Sequence, residues 1–158
     1  MKDNINMAGI WTIKSENVLT GEINYQEFNN LVVQGFFSGI HRFLDQDNLT
    51  VINDELNITH LGMGDTITPA TRADTTLANE TLRQAITSKS STDDYFNVVI
   101  FLETSQGNVT GGFIKELGIF CNATSTLDSG TMISRAVVNI KKNVNIKLTL
   151  NWKLRGNN

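Results

Sequence analysis

Proline and cysteine are nearly missing from this sequence: its 158 residues include one of each, Pro69 and Cys121. A lone cysteine excludes an internal disulfide framework and a thiolate metal cluster. Histidine is scarce too, and neither His41 nor His60 has a second His or Cys at metal-ligand spacing. No apolar run approaches the roughly 20 residues needed to cross a bilayer. The opening "MKDNINMAGIWTIK" lacks the continuous apolar stretch of a secretory signal. A strong charge excess is also missing. Net charge −3 and a pI of about 5.3 give no reason for wholesale binding to nucleic acid or anionic lipid. The expectation is therefore no nucleic-acid partner and no membrane partner.

What is present suits one ordinary globular domain over residues 1–158: 40% of the residues are hydrophobic, and no linker or internal repeat interrupts the chain. Asparagine and threonine are abundant. The five Asn-x-Ser/Thr triplets, at Asn48, Asn57, Asn79, Asn108 and Asn122, follow from that abundance and are expected to carry no sugar.

Periodicity suggests a mainly β chain with two helices. Residues 1–20 read as an extended N-terminal arm in which Trp11, Ile13 and Val18 pack at an edge. Over residues 25–45, Phe28, Leu31, Val32, Phe36, Ile40, Phe43 and Leu44 recur at three- and four-residue spacings, which predicts an N-terminal helix of about five turns. Residues 49–158 are expected to be mostly β. "LTVIND" and "LNITHLGMG" read as extended, and a second short helix is expected near 75–87, with Asp74 or Thr75 as its N-cap. The later segments "YFNVVIFLET", "GGFIKELGIFCN" and "TMISRAVVNI" read as strands. The closing "VNIKLTLNWKL" alternates cleanly, placing Val144, Ile146, Leu148, Leu150, Trp152 and Leu154 on one face. The predicted fold is an antiparallel β-sandwich with these two helical additions.

The chemical motifs are weak. Gly62-Met63-Gly64-Asp65-Thr66 has no lysine for a phosphate loop, no third glycine and no immediate helix start, so it reads as a turn at a strand end. "DQDN" at Asp45 to Asn48 begins like a calcium loop, but its sixth position is Thr50 and its twelfth Leu56. Cys121 has no neighbouring base in sequence, Asp93-Asp94 is a solvated pair, and the lysines around 141–155 lack interleaved aromatics. No catalytic set, metal site or cofactor is expected. Two pairings have a physical rationale. Glu80 and Arg83, three apart on the predicted helix, pair locally, and Glu116, set in an apolar strand, calls for backbone amides or a cation, for which Arg83 or Arg135 is the candidate.

Four stretches together resemble a family of bacteriophage tail structural proteins of the baseplate, collar and tail-fibre attachment type. These are "NLVVQGF"; the strand ending in Gly62-x-Gly64, followed by Asp74, Thr75, Leu77, Asn79, Glu80 and Arg83; "IKELGIF", with Glu116 and Gly118; and "GTMISRAVVNIKKNVNIKLTLNWKL", with Arg135 and Trp152. They span residues 29–155 in the family's order. The resemblance implies a virion structural protein made in the bacterial host cytoplasm, a homo-oligomer whose partners are other virion proteins. Fibre proteins of this kind continue into a long stalk, so an adaptor, collar or baseplate element is expected here. Capsid decoration, a head fibre, or a carbohydrate-binding β-sandwich using Trp11, Tyr25 or Tyr95 remain alternatives. The expected contact residues are Trp11, Phe36 and Phe37, from a wide apolar surface, and Lys147 and Lys153, from the wet face of the last strand.

Overall fold

The computed structural model of the chain describes residues 6–44 and 56–157. In order they form strands β1 (Asn6–Asn17) and β2 (Ile23–Val32), helix α1 (Gln34–Leu44), and strands β3 (Ile58–Gly64), β4 (Glu80–Ala85), β5 (Ser88–Ser91), β6 (Phe96–Leu102), β7 (Phe113–Cys121), β8 (Thr131–Lys141) and β9 (Ile146–Asn157). The nine strands make one antiparallel sheet in the order β4-β3-β7-β8-β2-β1-β9-β6-β5.

Strand β2 is the hinge of this sheet. Ile23 to Asn30 pair with β1, whereas Leu31 and Val32 pair with β8. The strand thus leaves one half of the sheet and enters the other. The two outermost strands, β4 and β5, are joined by Ile86 and Thr87 alone. The Ile86 amide donates back to Thr59 O on the β3 side (3.0 Å), and the Thr87 amide donates to Val99 O on the β6 side (2.9 Å). Both sheet edges therefore meet at one point, and the sheet is curled. Both halves feed a common core: Trp11, Ile13, Val98, Ile100, Leu150 and Trp152 from one, and Leu61, Met63, Ile114, Leu117, Ile119 and Ile140 from the other.

Several expectations need correction. The predicted helix over 25–45 is a strand as far as Val32, and only Gln34–Leu44 is helical. Pairing decides this: Phe28 lies opposite Trp11, which is fully buried, so the strand register sets its environment. The predicted arm at 1–20 is no edge element, because β1 pairs along its length with β2 on one side and β9 on the other. The short helix expected near 75–87 is the edge strand β4, preceded by an irregular loop. The closing strand begins at Ile146, and Val144 is exposed in the preceding turn. "LTVIND" and the Asp45–Asn48 stretch lie outside the described residues.

Candidate functional site

The residues singled out by sequence lie far apart in the chain and close together in the fold. Strands β3, β7 and β8 run side by side, so Gly62 faces Gly118, and Gly118 in turn faces Arg135. Arg135 is 2% exposed and Glu116 is fully buried. The Arg135 guanidinium donates to Glu116 Oε2 from Nε (3.1 Å) and Nη2 (2.8 Å), and to Asp74 Oδ2 from Nη1 (2.6 Å). It also donates to the carbonyls of Thr68 and Pro69. Glu116 accepts from the backbone amides of Ala78 (3.1 Å) and Asn79 (2.9 Å). One buried ion pair thus holds both ends of the loop 65–79.

Asp74 is no helix cap. It closes a turn by accepting from the Thr71 amide (2.9 Å) and hydroxyl (2.6 Å). Burial pushes its carboxyl up, but the Thr71 donors and Arg135 outweigh that and hold it below the ordinary carboxylate range. Burial likewise opposes charge on Arg135, and the two carboxylates overcome it, leaving the guanidinium more basic than usual.

A second pair lies next to the first. Glu80 and Arg83 form a bidentate ion pair with both side chains buried. They sit on a strand, where residues three apart normally face opposite ways. A bulge between the pairings Met63–Leu82 and Gly64–Glu80 restores a common face. Arg83 lies over the Phe120 ring at 3.8 Å and donates to Ser129 O, while Glu80 accepts from the Asp128 amide (2.7 Å). This pair fastens the loop between β7 and β8. The Gly62–Gly118 strand pair leaves room for it: a Cβ on Gly62 would stand 2.6 Å from Glu80 Oε1 and 2.7 Å from the Phe120 ring. Gly64 lies directly beneath the Glu116 carboxylate.

The remaining candidates scatter. Trp11 and Trp152 are cross-strand neighbours in the core, both fully buried, and Phe36 is buried as well. Trp11 is therefore an internal packing residue and no sugar platform, whereas Phe36 packs on the core and also lines an apolar pocket with Leu56, Ile58, Phe96, Ile133 and Leu154. Phe37 is half-buried, edge-on to Phe36. Lys147 is exposed and pairs with Glu103, and Lys153 lies over the Tyr95 ring at 4.7 Å. His41 is exposed on α1.

Sequence reasoning missed Lys142. It belongs to the run of lysines around 141–155, yet its ammonium is fully buried and donates to Asn108 Oδ1 (3.0 Å), Asn143 O (3.1 Å) and Thr104 O (3.4 Å). The adjacent Lys141 gave no signal to separate the two.

Chemically, the network is a clamp. Its charges are consumed by each other and by backbone groups, so none is poised to attack or to move a proton. Cys121 is buried, and desolvation pushes its thiol up to about 12, away from the reactive thiolate. Among the described residues no three His, Cys, Asp or Glu side chains converge as metal ligands. Comparison with protein-family models, curated proteins and solved structures returned no match.

Proposed function

We propose that the chain is a structural subunit of a bacteriophage virion, a tail, collar, baseplate or fibre-attachment component that acts through protein contacts and not through catalysis. The reading rests on the resemblance in the four motifs, and one observation supports it. Gly62, Gly64, Asp74, Asn79, Glu80, Arg83, Glu116, Gly118 and Arg135 meet around the two ion pairs that pin the loops 65–79 and 122–130. Motif residues assembled into a clamp suit a protein selected for rigid shape. In the same reading the two halves of the curled sheet act as a β-sandwich, and the subunit is repeated in a symmetric particle beside other virion proteins.

The test is biochemical. Particles purified from a lysate of the producing host should contain the chain in a fixed ratio to the major tail or capsid protein, read by quantitative mass spectrometry. Antibody labelling in the electron microscope should then place it at the tail, neck or baseplate. Uniform labelling of the head would favour the decoration alternative, and absence from washed particles would end the virion reading.

A further inference from the structure

Arg83, Arg135 and Lys142 are cations with buried side chains, and they differ in what surrounds them. Each arginine has carboxylate partners: Glu80 for Arg83, and Glu116 with Asp74 for Arg135. Around the Lys142 nitrogen the bonded oxygens are neutral: Asn108 Oδ1 (3.0 Å), Asn143 O (3.1 Å) and Thr104 O (3.4 Å). A fully buried ammonium with no carboxylate bonded to it is unfavourable, and losing its proton removes that cost. Burial accordingly holds Lys142 below the ordinary lysine value, against Glu103, which acts the other way. Glu103 is itself exposed and paired with Lys147 (3.1 Å), and Lys141, next along β8, is exposed too. Of the three buried cations, Lys142 alone can become a free base and so a nucleophile.

The group it faces is an electrophile. Asn108 lies in the loop 103–112, and its amide is fixed at both ends. Oδ1 accepts from Lys142, and Nδ2 donates to Thr104 O (2.8 Å). With Nζ 3.0 Å from Oδ1, the amide carbon, one C=O bond further, stands within roughly 4 Å of the amine. A movement of about 1 Å makes this a near-attack contact. Lys142 Nζ and Asn108 Nδ2 both donate to Thr104 O, so the two nitrogens converge on one carbonyl. The loop is also held independently of this pair. The Gln106 amide donates to Glu103 O (3.0 Å), the Gly112 amide to Val109 O (3.0 Å), and the Lys142 backbone amide to Gly112 O (2.9 Å). Amine and amide therefore meet pre-oriented, a placement that is equivalent to effective molarities of roughly 10⁵ M or more.

We infer that Lys142 and Asn108 join covalently, forming a side-chain amide bond that staples the loop 103–112 to the end of β8. Lys142 Nζ, as the free amine, attacks Asn108 Cγ. The Nζ–Cγ bond forms, the Cγ–Nδ2 bond breaks, and the proton that leaves Nζ ends on Nδ2, which departs as ammonia. No atom changes oxidation state, and no cofactor enters. Neither reacting group has a carboxylate bonded to it to carry that proton, so the step is slow and the bond accumulates as the folded protein ages. Its product has no buried charge and a chain closed from residue 108 to residue 142. Proximity alone is not sufficient. Lys89 Nζ stands 2.6 Å from Asn57 Oδ1, but both residues are exposed, so this lysine keeps its proton and its contact stays non-covalent. The cross-link goes beyond the virion reading and stands or falls without it.

The test is intact-mass spectrometry of the full folded chain, sampled over days at about pH 9, where a buried amine is more readily free. A species lighter than the sequence mass by one ammonia should grow in, and a tryptic digest should hold one branched peptide pair joined through Lys142 and Asn108. Its rate should rise by up to about tenfold per pH unit below the pKa of the amine, because only the free base attacks. Lys142→Met, similar in length but without an amine, should keep its own sequence mass. So should wild type held unfolded in guanidinium, a control that requires no variant to fold. Ammonia loss that maps to a succinimide at Asn108, with Lys142 still cleaved by trypsin, would overturn the inference. Deamidation of Asn108 without a cross-link would do the same, as would a Lys89–Asn57 link that forms as fast as the buried one. A folded wild-type chain that never leaves its sequence mass would leave Lys142 as a hydrogen-bonding ammonium only.

Discussion

Arg135 shows what a single buried charge does in this protein. It neutralises Glu116 and Asp74, and its remaining donors satisfy the Thr68 and Pro69 carbonyls. Removing it leaves two carboxylates facing each other beside the core, which is far more costly than never having buried a pair. Arg135→Met should therefore lower stability by roughly 3–5 kcal/mol in chemical denaturation. A variant within error of wild type would mean that water replaces the guanidinium freely. The same cluster sets an acid response. Asp74 has its folded pKa depressed, so its contribution is complete above the ordinary carboxylate pKa and is lost as pH falls toward the lower folded value. Acid titration should thus weaken protection of the loop 65–79 against proteolysis in wild type. Asp74→Asn should be weaker at neutral pH and flatter with pH. Parallel curves for the two proteins would remove Asp74 from the acid response.

At the scale of elements, legibility followed the alternation of the strands. β9 was readable because Ile146, Leu148, Leu150, Trp152 and Leu154 alternate with polar residues and all face the core. For a related reason the need of Glu116, a carboxylate in an apolar strand, for a cation or backbone amides was legible; of the two candidate cations Arg135 is the one that pairs with it, beside the Ala78 and Asn79 amides. β2 was misread because Phe28, Leu31, Val32 and Phe36 fall at helical spacing only by running a strand into a helix across Val33. β4 was misread because Asp74 or Thr75 reads as a helix cap and Glu80 and Arg83 stand three apart, whereas Asp74 closes a loop turn and a bulge puts the pair on one face of a strand. Local pattern cannot reveal a bulge, which is defined by the partner strand. The bulge itself is testable. Deleting Thr81, the extra residue, should restore regular pairing with Glu80 and Arg83 two apart and still on one face, so the ion pair should survive and stability should fall by less than about 2 kcal/mol in chemical denaturation. A larger loss would show that the bulge does more than bring the pair to a common face.

For the whole molecule, the curled sheet makes the two halves one cooperative body. Core side chains from β1, β6 and β9 lie in the same cluster as those from β3, β7 and β8. β2 belongs to both halves, and Ile86-Thr87 ties their far edges. Removing residues 1–20 would accordingly delete the strand between β2 and β9 and unfold the chain, so that truncation cannot isolate an assembly surface. Two built-in reporters allow the unity to be measured. Trp11 and Trp152 sit opposite each other on β1 and β9, while the single cysteine, Cys121, ends β7 in the other half. Folded, its thiol is buried and pushed up to about 12, so thiol reagents should not label it at neutral pH. Unfolded, it returns to the ordinary value of about 8.5 and reacts. Tryptophan fluorescence and Cys121 labelling, followed through one denaturant titration, should give coincident midpoints, as a two-state domain requires. Labelling of Cys121 at a clearly lower denaturant concentration than the fluorescence change would show that the clamp-bearing half opens alone, and the single cooperative body would have to be given up.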